Sequence, residues 1–176
     1  VLEDGTVARG LAYGARGTAL GEIVFTTAMT GYQETLTDPS YHRQIVLMTA
    51  PHVGNTGMNK QDPESRRIWV SGFVVRDPAR RASSWRSEAE LGDELSAQGV
   101  VSIAEVDTRA LTRHLREAGV MRAGIFSGSD LPAVPGGAGV APLVEQVRAV
   151  APMAGADLSA EVTTDAPYTI EPSGDG

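Results

Sequence analysis

The sequence contains no cysteine, which removes disulfides, thiolate metal sites and thiol nucleophiles together. Lys60 is the one lysine, so almost all of the positive charge is carried by arginine. The only histidines are His42, His52 and His114. They form no HxH or HExxH pair, and no metal site is expected. No uninterrupted apolar run approaches the roughly eighteen residues of a membrane span, and "VLEDGTVARG" at the start is acidic and turn-rich where a signal peptide is basic and then apolar. A cytoplasmic protein with no membrane partner is the expectation. Val1 reads as mid-strand, which predicts residues upstream of it. Positive charge is also in deficit, with a net charge of -7 and a pI near 4.9. A chain of this sign repels phosphate backbones as a whole, so no nucleic acid partner is expected.

What remains is ordinary globular material: 176 residues, 41% hydrophobic and 21% charged, enough for one domain with a core and some tail. "GEIVFTTAM" (21–29) alternates and is β-branched, which predicts a strand, and "GLAYGARGTALG" before it suits a hairpin or tight loops. "RQIVLMTAP" (43–51) and "RIWVSGFVVRDP" (67–78) predict central strands closed by proline. "SEAELGDELSAQGV" (87–100) carries acids early and Gly99 at its end, as a helix does. In 100–120 a buried strand runs to Asp107, a good N-cap, and Leu111 and Leu115 then repeat at i, i+4 until Gly119. A further strand is expected at 121–128, and this strand-helix-strand order favours a parallel crossover. A loop at 132–139 and a helix marked by Val140, Leu143, Val144 and Val147 follow. From 160 onward periodicity gives way to Pro, Gly and acids, as in a linker. The one basic concentration is Arg66, Arg67, Arg76, Arg80, Arg81 and Arg86, which reads either as a solvated face or as a docking surface for an acidic protein.

No self-sufficient catalytic set emerges. "GTVARGLA" (5–12) has the glycine spacing of a phosphate loop, but Leu11 and Ala12 stand where Lys and Ser or Thr are needed. "GARG" and "GGAG" do not complete GxGxxG. Asp38, Ser40 and either His42 or His52 supply the residue types of a hydrolase without a GxSxG elbow, and "TDPS" reads as an Asx turn with proline. No pair of carboxylates stands out from the exposed ones.

Several long strings, in order along nearly the whole chain, are together similar to one family. "GEIVFTTAMTGYQETLTDPSYHRQIV" (21–46), "PHVGNTGMN" (51–59), "GFVVRD" (72–77), "VSIAEVDTRALTRHLREAG" (101–119) and "EVTTDAPY" (161–168) closely resemble the N-terminal domain of the small subunit of carbamoyl phosphate synthetase. The resemblance implies an α/β fold: a swivelling β/β/α three-layer domain with a partly parallel central sheet, a second sheet and flanking helices. It implies a domain over 1–160 and, over 161–176, a linker toward a class I glutamine amidotransferase domain that this cysteine-free chain does not contain. In the family that domain hydrolyses glutamine with a Cys/His/Glu site. Ammonia then passes to the large subunit, where ATP and bicarbonate yield carbamoyl phosphate for arginine and pyrimidine synthesis.

The same resemblance sets the expectations for sites and partners. Catalytic residues and cofactors are expected to be absent from this chain, with ATP and Mg or K ions confined to the large subunit. Ser40 corresponds to the family serine that reaches across the domain boundary to bound glutamine. Thr30, Tyr32, Gln33 and Asn55 are assigned to a cleft or, by preference, to the contact with the large subunit. Gly31 and Gly54 are read as glycines needed for backbone geometry. The partners implied are the large subunit and the amidotransferase domain of the same polypeptide. The competing reading is a free-standing, non-catalytic binding module of the same fold.

Overall fold

The structure is a computed structural model and describes residues 1–131 and 139–170. It is an α/β fold built on a six-stranded mixed sheet. The strands are β1 (Leu11–Gly14), β2 (Thr18–Thr26), β3 (Gln44–Met48), β5 (Gly72–Val74), β7 (Val101–Ala104) and β8 (Met121–Phe126), in the spatial order β1-β7-β5-β3-β2-β8. The central pairs β2/β3, β3/β5 and β5/β7 are parallel, and the edge strands β1 and β8 run antiparallel to their neighbours. Two further short strands, β4 (His52–Val53) and β6 (Asp77–Pro78), form a separate parallel pair.

Burial on both faces explains why the central strands are continuous apolar runs. In β3, Val46 and Met48 enter one core with Phe73, while Ile45 and Leu47 enter the other with Val74. The first core is closed by α1 (Tyr32–Thr37) through Tyr32 and Leu36 and by α2 (Leu91–Ala97) through Leu91 and Leu95. The opposite core is closed by α3 (Thr108–Ala118) through Leu111 and Leu115. Leu143 and Val147 of α4 (Ala141–Arg148) pack on Phe126 of β8, and one more turn, α5 (Ser159–Val162), follows. None of the helices among the described residues is long and apolar enough to cross a membrane.

The expected helix in 87–100 is α2, with Gly99 beyond its end at φ 72. Asp107 caps α3 by accepting from the Ala110 N–H at 3.0 Å. Three expectations are corrected. Of the two alternatives for 10–21 the hairpin is not formed, because β1 pairs with β7 and β2 with β3 and β8; the tight loop holds instead, with residues 15–17 joining the strands and Gly14 and Gly17 at positive φ. The unit β7-α3-β8 is not a parallel crossover: its strands are separated by β5, β3 and β2, and β8 is antiparallel to β2. The sheet is partly parallel through other strands. Within 67–78 only Gly72–Val74 pairs in the main sheet, since Trp69 instead donates its N–H to the Leu36 carbonyl. The 132–139 loop lies outside the described residues except for Gly139, as does the end of the expected linker beyond 170.

Candidate functional site

Beyond the carboxyl ends of β2 and β3 lies a cleft of about 420 Å³, the position where parallel sheets present their ligand crevices. Thr30, Tyr32, Gln33 and Asn55 all line it. Gly31 initiates α1 at φ 80, a left-handed backbone that suits glycine, and Gly54 at φ 98 starts the turn opposite.

Most of the polar groups in this cleft are occupied in holding it together. Gln33, 5% exposed, donates from Nε2 to the Asn59 carbonyl at 2.5 Å and accepts from the Asn59 N–H at 3.0 Å. It therefore satisfies both backbone groups of one residue in the facing loop. Tyr32 donates its hydroxyl to the Gly57 carbonyl at 2.6 Å and lies 2.8 Å from the Thr56 hydroxyl; burial pushes the phenol above its usual range. Asn59 donates to Asp62, which also receives Arg86. These two partners, the Asn59 amide first, hold the Asp62 carboxyl below its usual range. Thr30 and Asn55 line the cleft, and their side chains have no hydrogen-bond partner among the described residues.

Ser40 is not part of this cleft. It sits in the 3-10 turn Pro39–Tyr41, exposed, with its N–H donated to Asp38 Oδ1 at 2.8 Å. This is the Asx turn read from "TDPS". The hydrolase set does not assemble: Asp38 is spent on the Ser40 backbone, and His42 Nε2 lies 2.8 Å from Glu161 Oε2. Each of the other histidines also faces one acid, His52 with Asp77 and His114 with Asp4. Among the described residues no three His, Asp or Glu side chains converge as a metal cage requires.

The tail returns to the Ser40 turn. Glu161 receives Arg43 Nη2 at 2.6 Å as well as His42, and Asp165 receives Arg66 at 2.9 Å. The hydrogen bond from His42 and then the charge of Arg43 hold the Glu161 carboxyl below the ordinary glutamate range. His42 packs edge-on against Trp69 with ring centroids 5.4 Å apart, and Arg67 lies over the same indole at 3.8 Å. Sequence reasoning placed none of Asn59, Glu161 or Trp69 at a site. Asn59 meets Gln33 across 26 positions, Glu161 meets His42 across 119, and Trp69 meets the distant ring of His42, and no local pattern announces such pairings.

The family model described as the carbamoyl-phosphate synthase small chain, CPSase domain, matches residues 1–125. The chain belongs to this family. Among carbamoyl phosphate synthase small chains, that of Streptomyces coelicolor is 63% identical over 175 residues, covering 99% of this chain and 44% of the relative. That of Mycobacterium tuberculosis is 58% identical over 176 residues, covering 99% and 45%, and that of Bifidobacterium longum 56% over 177 residues, covering 99% and 44%. The chain thus spans less than half the length of these small chains. Within this small-chain domain the cleft and the Ser40 turn are separate features, joined in sequence by the six residues of α1.

Proposed function

We propose that the chain is the N-terminal, non-catalytic domain of the small subunit of a glutamine-dependent carbamoyl phosphate synthetase. In this reading 1–160 is the domain and 161–176 leads to a class I amidotransferase domain that hydrolyses glutamine. Ammonia passes to a large subunit, which uses ATP, bicarbonate and Mg or K ions to form carbamoyl phosphate for arginine and pyrimidine synthesis. The assembly is a cytoplasmic heterodimer, and the isolated chain is inactive. The mixed sheet, the separate β4/β6 pair and the helices on both faces are in keeping with a swivelling three-layer arrangement.

The observation that carries the reading is the presentation of Ser40. Its hydroxyl is exposed on a turn fixed by Pro39 and the Asp38 carboxylate, and the tail is tied beside that turn by Glu161 and Asp165. The start of the tail, from Glu161 to Asp165, is thus held beside Ser40, whose hydroxyl can donate or accept one hydrogen bond to a glutamine bound by the domain that follows.

For docking to the large subunit, the informative group is the loop around Trp85. Its indole is 92% exposed. Arg80 and Arg81 nearby have no acidic partner among the described residues, whereas Arg66, Arg76 and Arg86 are paired and Arg67 is stacked. An exposed tryptophan beside unpaired arginines has the composition of an interface hot spot. Calorimetric titration of this chain with the large subunit is expected to give micromolar or tighter binding. Trp85→Ala with Arg80→Ala and Arg81→Ala is expected to weaken it by about tenfold or more. A flat titration, repeated with the complete small chain, would rule out docking and leave the free-standing module.

A further inference from the structure

The side chains of His42 and Arg43 are neighbours in sequence yet reach one carboxylate, Glu161, with His42 Nε2 2.8 Å from Oε2 and Arg43 Nη2 2.6 Å from Oε1. In an extended chain, consecutive side chains point to opposite sides. Arg43 escapes that rule because its backbone is left-handed, φ 63, a conformation disfavoured for residues other than glycine. The backbone is thus held in a costly form that aims both side chains at the tail.

The other side of the turn is equally tied. His42 abuts Trp69, Trp69 Nε1 donates to Ser65 Oγ at 2.7 Å, and Ser65 Oγ donates to the Thr37 carbonyl at 2.6 Å, just before Asp38. Four residues beyond Glu161, Asp165 makes the second tail contact with Arg66, the neighbour of Ser65. The Asp38–Tyr41 turn is held between this core-side chain of contacts and the tail. Exposed ion pairs add little to global stability. Two adjacent donors on one carboxylate do, however, fix an orientation.

We infer that Glu161 is a positioning residue: it sets the Ser40 turn, through His42 and Arg43, against the polypeptide that follows the tail, and so governs how well the Ser40 hydroxyl meets glutamine. This inference rests on the reading of Ser40 proposed above. It assigns Glu161 no contact with glutamine.

The test uses the complete small chain assembled with its large subunit, comparing wild type, Glu161→Gln, Ser40→Ala and the double variant. The rate with ammonia in place of glutamine serves as the internal reference. Glu161→Gln is expected to raise the glutamine KM about 2- to 10-fold, the range of one weakened hydrogen bond, with the thermal midpoint little changed. The double variant is expected to be no worse than Ser40→Ala alone, since one effect acts through the other. A normal KM in Glu161→Gln beside a raised KM in Ser40→Ala overturns the role of Glu161 and leaves Ser40 in place. An unchanged KM in Ser40→Ala overturns both. Fully additive increases show that Glu161 acts by a route other than Ser40, and also overturn the inference.

Discussion

Gln33 shows how a residue typed as a site candidate can be an internal brace. Among the described residues its amide is the only side-chain group bonded to the Asn59 backbone, and it matches that N–H and carbonyl as a neighbouring strand would. Gln33→Ala leaves both groups without a partner in a partly buried setting, and is expected to cost about 1 to 3 kcal/mol, read as a lower urea midpoint. Thr30 and Asn55, whose side chains have no hydrogen-bond partner among the described residues, are, with Glu34, cleft members free to meet a ligand or a partner. The residue types alone did not separate the two kinds. A glutamine beside "TGY" reads the same whether it braces or binds, and only its distance to Asn59 decides.

At the scale of elements, legibility followed length and capping. α3 was readable because Asp107, Leu111, Leu115 and Gly119 mark its start, face and stop within one stretch. α1 was not recognised: it has six residues, begins on Gly31 without a side-chain cap, and is too short for a 3.6-residue period to register. The strands were legible as apolar runs, whereas their neighbours were not. β2 meets β3 in parallel with Glu22 opposite Gln44, and the approach is close enough that a Cβ on Gly21 would lie 2.4 Å from the Arg43 carbonyl oxygen. Gly21→Ala is therefore expected to destabilise the fold by about 1 to 3 kcal/mol through forced separation of the two strands. A denaturant midpoint within error of wild type would refute that crowding.

For the whole molecule, the closure of the tail onto the body is sensitive to acid. The Glu161 carboxyl is held below its ordinary value of 4.5, by the His42 hydrogen bond first and then by Arg43. Its contribution to the docked tail is accordingly full above 4.5 and is lost as pH falls through the lower value of the docked state. Trp69, against which His42 packs, is expected to report this as an emission change on acidification below pH 4.5, absent in Glu161→Gln. An identical titration in the variant would place the emission change elsewhere. Trp85, being exposed, contributes a background that Trp85→Phe removes.

By itself the sequence determined the family, through strings long enough to be specific, and the helix caps, the apolar strands and the Asx turn that presents Ser40. It also determined that no thiol chemistry resides here. These are local properties, set by hydrogen bonds and burial patterns within a few residues. Tertiary structure alone decided the strand order, the bracing role of Gln33 and Tyr32, the separation of Ser40 from the cleft, and the return of Glu161 to His42 and Arg43. Each of those depends on groups far apart in the chain, which the free energy of burying two shared cores brings together and which no local pattern encodes.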